Sequence, residues 1–278
     1  MNLVIRRFIF IWVLSITLLS CQTNGQRANN ITNISKPQTT VKSVHELPDI
    51  TTFANTKSDQ FIVNIDQVLT GIPFMGVRSK KPHSGAHVHF DSALFKSGSK
   101  PEDYPPIYAA VDGIITRVDE CFPLHNSTGM SHERYGLDLA FARDNKDGSI
   151  YNLAYSIEPM VMQPSDGFYR KFIIATNGQY VKKGDVIAYM YVPPDANGTH
   201  IHFDINNFQK SRDYFMAPAL FTPDVVQRFY KTWRGDSSMD GGTPIPPCMG
   251  YMLGDYENPF RGQLINCKID NYTIFHNS

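Results

Sequence analysis

The chain has no excess of charge of either sign: 26 lysines and arginines balance 26 aspartates and glutamates over 278 residues. No block of basic residues breaks that balance, so the electrostatic footprint of a nucleic-acid binder or a polybasic membrane contact is missing. Helical periodicity is scarce. One stretch, "TPDVVQRFYKTW", reads as a helix, with Thr222 as cap, Pro223 at the first helical position, and Val225, Val226, Phe229, Tyr230 and Trp233 on one stripe suited to core packing. The apolar run at the start, "FIFIWVLSITLL", is too short to span a bilayer comfortably. Cysteine is limited to four residues, and nothing in their spacing suggests a zinc ribbon.

Arg6 and Arg7 precede the apolar run, which is therefore flanked like a secretory signal. It ends in "LLSC", and Ser20 before Cys21 resembles a bacterial lipobox. That resemblance implies a lipoprotein signal over residues 1–21 and lipidation of Cys21, with an ordinary cleaved signal or a short membrane anchor as the alternative. Gln22 in place of an aspartate implies, by analogy with Gram-negative hosts, an outer-membrane protein facing the periplasm. From residue 22 to about 45 the chain is rich in Asn, Thr, Gln and Ser and cannot bury enough surface to offset chain entropy. It reads as a flexible tether, counted here as residues 22–58. With Cys21 assigned to lipid, Cys121, Cys248 and Cys267 form an odd set. Cys248 with Cys267 is the preferred disulfide, because both lie in a terminal stretch that would gain from a staple.

From residue 60 the patterns are short and β-like. "QFIVNIDQVL", "PIYAAVDGIITRVDE", "GLDLAFARD", "GSIYNLAYSI", "FIIATNGQYV", "DVIAYMYV" and "HIHFDIN" are rich in β-branched and aromatic residues, with Gly, Asp, Asn and Pro between them. The expected fold is mostly β, an antiparallel sandwich or barrel-like sheet over residues 59–210, with residues 211–278 as a helical and coil appendage packed on it.

Two near-copies of one pentapeptide carry the chemistry, "HVHFD" at 87–91 and "HIHFD" at 200–204. On an extended strand alternate side chains share a face, so His87, His89 and Asp91 point one way while Val88 and Phe90 point into the core. His200, His202 and Asp204 follow the same rule against Ile201 and Phe203. If the two strands are neighbours, their imidazoles and carboxylates make a metal site, and nitrogen and oxygen donors without thiolate suit zinc.

With these motifs the chain resembles the lysostaphin and LytM type zinc metallopeptidases, which cut peptidoglycan cross-bridges on a duplicated hybrid motif fold. Four elements stand in the family's order: "HVHFD", "PIYAAVDGIITRV", "GQYVKKGDVIAYM" and "GTHIHFDI", over roughly residues 83–206. The resemblance implies one Zn2+ held by His87, Asp91 and His202, with His200 beside the metal handling protons or steadying the developing oxyanion. His89 stands where the family commonly has glycine, as a partner of the ligands or merely tolerated.

One departure matters more. Counting from the turn glycine Gly148, the position of the family's other catalytic histidine falls on Tyr155, whose hydroxyl can stabilise an oxyanion but cannot shuttle a proton at neutral pH. The insertion "DECFPLHNSTGMSHER" holds His125 and His132, which either swing over the cleft or are solvent-exposed loop histidines. A second insertion, "EPMVMQPSDGFYRKF", would border the cleft. Two functions follow: a cell-envelope zinc peptidase acting on peptidoglycan cross-link or related peptides, or a zinc-binding but catalytically silent regulatory or wall-binding lipoprotein.

Overall fold

A computed structural model of the chain describes residues 43–54, 56–72, 86–91, 100–125, 131–161, 164–194, 198–206, 220–232, 250–251 and 264–265. All of them lie in the unit Ser35–Ser278. Cys21, Cys248, Cys267 and Trp233 fall outside the described residues, as does most of the expected appendage.

Eleven strands are described: β1 (Thr70–Ile72), β2 (Ala86–His89), β3 (Pro106–Tyr108), β4 (Gly113–His125), β5 (Ser131–Arg143), β6 (Ile150–Val161), β7 (Tyr180–Val181), β8 (Val186–Tyr189), β9 (His200–Asn206), β10 (Gly250–Tyr251) and β11 (Leu264–Ile265). Seven form one antiparallel sheet in the order β1-β2-β9-β6-β5-β4-β7, while β3 pairs with β8 and β10 with β11. The expected mostly β, antiparallel class is what the chain adopts. The main sheet is open, since the terminal strands of that order, β1 and β7, do not pair with each other.

Strand alternation divides the sheet into an apolar and a polar face. Across the register, Phe203 lies opposite Tyr155 and Tyr155 opposite Leu137, and one row along Ile201, Ile157 and Tyr135 repeat the pattern. All six are buried at 1% exposure or less. Their hydrophobic burial is the main term holding the sheet together. The β3–β8 ribbon covers this face and is tied to it by two tyrosines. The Tyr135 hydroxyl donates to the Tyr189 carbonyl at 2.5 Å and accepts from the Tyr191 amide at 2.9 Å, and Tyr155 makes the equivalent pair of bonds with Tyr108 and Ala110.

Three sequence expectations are corrected here. The tether does not extend to residue 58: Leu47, Ile50 and Phe53 are buried, Phe53 meets the Phe141 ring edge-on at 5.1 Å, and Arg143 donates to the His45 carbonyl at 2.7 Å. Those few apolar side chains, spaced three apart among polar ones, suffice to dock short 3-10 turns at Val44–Glu46 and Ile50–Ala54. "QFIVNIDQVL" is not a strand. Phe61, Ile62 and Val63 are buried, but a 3-10 turn follows at Ile65–Gln67, and an apolar run alone does not separate the two outcomes. The first insertion is a continuation of the β4–β5 hairpin, in which Phe122 pairs with Arg134 and Leu124 with His132.

The expected helix forms as α1 (Pro223–Lys231), with Pro223 in the first turn. Thr222 precedes it without a side-chain capping bond. Val225, Val226 and Phe229 are buried, and Phe229 packs 5.4 Å from Phe61 and 5.9 Å from Phe203.

Candidate metal centre

The polar face carries the site. β2 and β9 pair so that His87 lies opposite His202 and His89 opposite His200, and β6 continues both rows with Ser156 and Glu158. The two pentapeptides are thus adjacent strands with their histidines in register, because the alternating Val88, Ile201 and Phe203 are buried on the other face. Donor atoms of His87, His200 and His202 all lie within 4.8 Å of one another. His87 Nε2 is 2.6 Å from His202 Nδ1, and His202 Nε2 is 3.0 Å from His200 Nε2.

The ring nitrogens can be told apart by their partners. His200 Nδ1 lies 2.5 Å from the Gly198 carbonyl, which only accepts, so Nδ1 carries hydrogen and Nε2 keeps a lone pair. That lone pair faces into the cluster, the requirement for a metal ligand or a proton acceptor. His89 stacks on His200 with ring centroids 4.7 Å apart.

Asp91 lies outside the group of converged donors. It follows β2, where the Phe90 amide still donates to the Thr199 carbonyl at 3.0 Å and keeps the chain beside β9. Tyr155 is placed away from the site. Its side chain is on the apolar face, 1% exposed, and its hydroxyl donates to the Tyr108 carbonyl and accepts from the Ala110 amide, each at 3.2 Å. Burial pushes its ionisation well above that of an ordinary tyrosine, against a smaller opposing effect of the Ala110 bond. Alternation explains the placement: Ser156 and Glu158, one residue to either side of the Ile157 position, take the polar face.

His132 is neither exposed nor in a loop. It sits on β5, 4% exposed, with Nε2 2.9 Å from Glu158 Oε2. The side chain of His125 is outside the described residues. Glu158 was not singled out from the sequence, and it is the hub of the cluster. Arg134 donates to its Oε1 at 2.9 Å and to the Ser156 hydroxyl at 2.9 Å, while His202 Nε2 stands 3.2 Å and His200 Nε2 3.5 Å from its oxygens. Burial works against charge on Glu158, but the His132 hydrogen bond, the His202 and His200 rings beside it and the Arg134 guanidinium outweigh it and hold the carboxyl well below the usual carboxylate range. A signal was available in "YSIEP", where Ser156 and Glu158 alternate with Tyr155 and Ile157 at strand period.

The polar face continues past the histidines. Asp138, 2% exposed, bonds Arg117 at 2.8 Å, and Thr116 donates to Asn152 at 3.1 Å. Cys121 Sγ donates to Glu133 at 3.3 Å.

No family model matches the chain, and comparison with curated proteins finds no relative. Solved structures are similar at low identity. The catalytic domain of the antimicrobial peptidase lysostaphin from Staphylococcus simulans matches at 18% identity and TM-score 0.28, covering 51% of this chain and 83% of that one. Lysostaphin from the same organism matches at 18% identity and TM-score 0.31, covering 72% and 63%. A solution structure of lysostaphin matches at 16% identity and TM-score 0.32, covering 73% and 64%. The chain thus spans less than two thirds of the latter two, and overlaps at this level assign no residue and no activity to it.

Proposed function

We propose that the chain is a cell-envelope zinc metallopeptidase acting on peptidoglycan cross-link peptides or related peptides. The observation that carries this reading is the convergence of His87, His200 and His202 on the polar face of paired strands. Three imidazoles without thiolate fit a zinc ion, and His87 and His202 are the ligands on which geometry and motif agree. The third ligand we assign to Asp91, on the resemblance of "HVHFD" to the family's His-x-x-x-Asp element. This leaves the lone pair of His200 Nε2 for a proton, whereas ligation by His200 would consume it.

Zinc, when bound, supplies a Lewis acid for hydrolysis of a peptide carbonyl. The chain's own part is then legible. His200, fixed by the Gly198 carbonyl, accepts and returns a proton through Nε2. Ser156 and Arg134 line the polar face beside it, and the buried sheet keeps the strands that carry these groups from shifting.

One observation favours the silent reading: Tyr155 is bound into the core, so nothing from that position reaches the histidines. Zinc-loaded protein incubated with purified peptidoglycan and with glycine-rich and D-amino-acid peptides, its products read by mass spectrometry, decides between them. Cleavage of any wall peptide establishes the peptidase. No cleavage at stoichiometric zinc retires it in favour of a metal-holding binding protein. The lipid anchor on Cys21 is proposed on the lipobox alone, and the intact mass of the mature N-terminus tests it.

A further inference from the structure

Burying a carboxylate is costly unless its lone pairs are engaged, and Glu158 is 1% exposed at the edge of an irregularity between β5 and β6. Between the pairs Glu133–Val161 and Tyr135–Ile157 one residue of β5 faces three of β6, a bulge containing Glu158, and Met160 adopts a left-handed φ of 65°. A non-glycine residue in that region costs of order 1–3 kcal/mol and persists only where the surroundings impose it. Alternation along β6 turns Glu158 to the polar face opposite His200 on β9, and the bulge begins there on the β5 side. His132 and Arg134 hold it from β5.

The hydrogen assignment on His202 follows from this arrangement. Its Nε2 lies 3.2 Å from Glu158 Oε1, a carboxylate oxygen that only accepts, so Nε2 carries the hydrogen. The lone pair of His202 is then on Nδ1, the nitrogen that faces His87 at 2.6 Å. A carboxylate on the far nitrogen of a ligating histidine fixes its tautomer and raises its basicity.

We propose that Glu158, clamped by His132 and Arg134, is a positioning residue that locks His202 in the tautomer presenting Nδ1 to the metal. The proposal rests on the zinc reading above and adds the groups that set its affinity. It also gives the β4–β5 hairpin extension a purpose, since that extension supplies His132 and sets Phe122 under the Arg134 guanidinium at 4.3 Å.

The test uses Glu158→Gln in the full chain, with two readouts. Long-range proton–nitrogen spectra of the metal-free protein should show His202 as a single Nε2–H tautomer in the wild type and as a mixture in Glu158→Gln. Zinc affinity, measured by chelator competition, should fall about 10- to 100-fold. If Glu158→Gln fails to fold, Glu158→Gln with Arg134→Met removes the buried charge together with its partner and carries the same expectations. Unchanged tautomer and wild-type zinc affinity in the variant overturn the proposal. A wild type that hydrolyses no peptide, with both shifts present in the variant, retires the peptidase and supports the positioning role.

Discussion

His87 and His202 stand directly opposite each other on β2 and β9, with Nε2 and Nδ1 2.6 Å apart. Removing either should therefore remove most of the bound zinc. We expect His202→Ala and His87→Ala to lose stoichiometric zinc, and Asp91→Asn to weaken it. His200→Ala should keep zinc and lose at least about a hundredfold in turnover, the scale of a lost proton-transfer group. Metal analysis beside peptide-cleavage rates checks this. Zinc lost in His200→Ala and kept in Asp91→Asn would exchange their roles.

Tyr155 now belongs to stability. Tyr155→Phe leaves the buried Ala110 amide without its acceptor, which costs about 1–3 kcal/mol, and zinc affinity should not change. Tyr155→His, which by the family pattern would restore a catalytic group, should instead lower stability, because it puts a smaller polar ring among Leu137, Phe203 and the β3–β8 ribbon. Denaturant unfolding of both variants measures the loss. A gain of activity in Tyr155→His would show that the side chain reaches the polar face.

How much the sequence disclosed depended on whether local alternation was enough. It was enough for "HVHFD" and "HIHFD", where Val88, Ile201 and Phe203 mark the buried face and leave the histidines together on the other. It is also enough at "YNLAYSIEP", where strand period and the family spacing from Gly148 point to different residues: Tyr155 and Ile157 are core residues, and Ser156 and Glu158 face the histidines. Other features depend on tertiary contact. Nothing local says that His132 lies on a paired hairpin extension with its ring against Glu158, that Met160 takes a positive φ beside that carboxylate, or that Leu47, Ile50 and Phe53 are buried. Those outcomes are decided by which surface is left uncovered once the strands have paired.

Asp138 gives a pH signature distinct from the metal site. Burial raises its carboxyl from 3.8 to about 6, with Arg117 opposing the shift and Asp119 adding to it. A carboxyl raised in the folded state binds its proton more tightly there than in the unfolded chain. Its contribution is therefore fully present below about pH 4 and is lost as pH rises through about 6. A shift of that size corresponds to about 2–3 kcal/mol. The wild-type stability minus that of Asp138→Asn should fall by that order between pH 4 and 6.5 in urea titrations. A flat difference would mean that Arg117 neutralises Asp138 fully.

Gly136 tests whether the sheet under the site can give. It pairs with Ser156 across β5 and β6, and a Cβ built on it would meet the Tyr155 carbonyl oxygen at 2.5 Å and the Phe122 ring at 3.6 Å. The nearer obstacle is backbone, so no rotamer change relieves it and the two strands must part. Arg134 on β5 grips Ser156 and Glu158 on β6, so parting the strands loosens the clamp that faces His200 and His202. Gly136→Ala should cost about 1–3 kcal/mol, the scale of overpacking in a dense interior, and should lower zinc affinity as well. Gly148→Ala is the control. Its φ of 75° strains any side chain, but nothing lies within 4 Å of the new Cβ, so it should cost about 1–2 kcal/mol and leave zinc affinity unchanged. Equal loss of stability in the two variants with zinc affinity lost only in Gly136→Ala would place the effect at the strand pairing beneath the histidines. Wild-type zinc affinity in Gly136→Ala would mean that the clamp tolerates the displacement of β5 from β6.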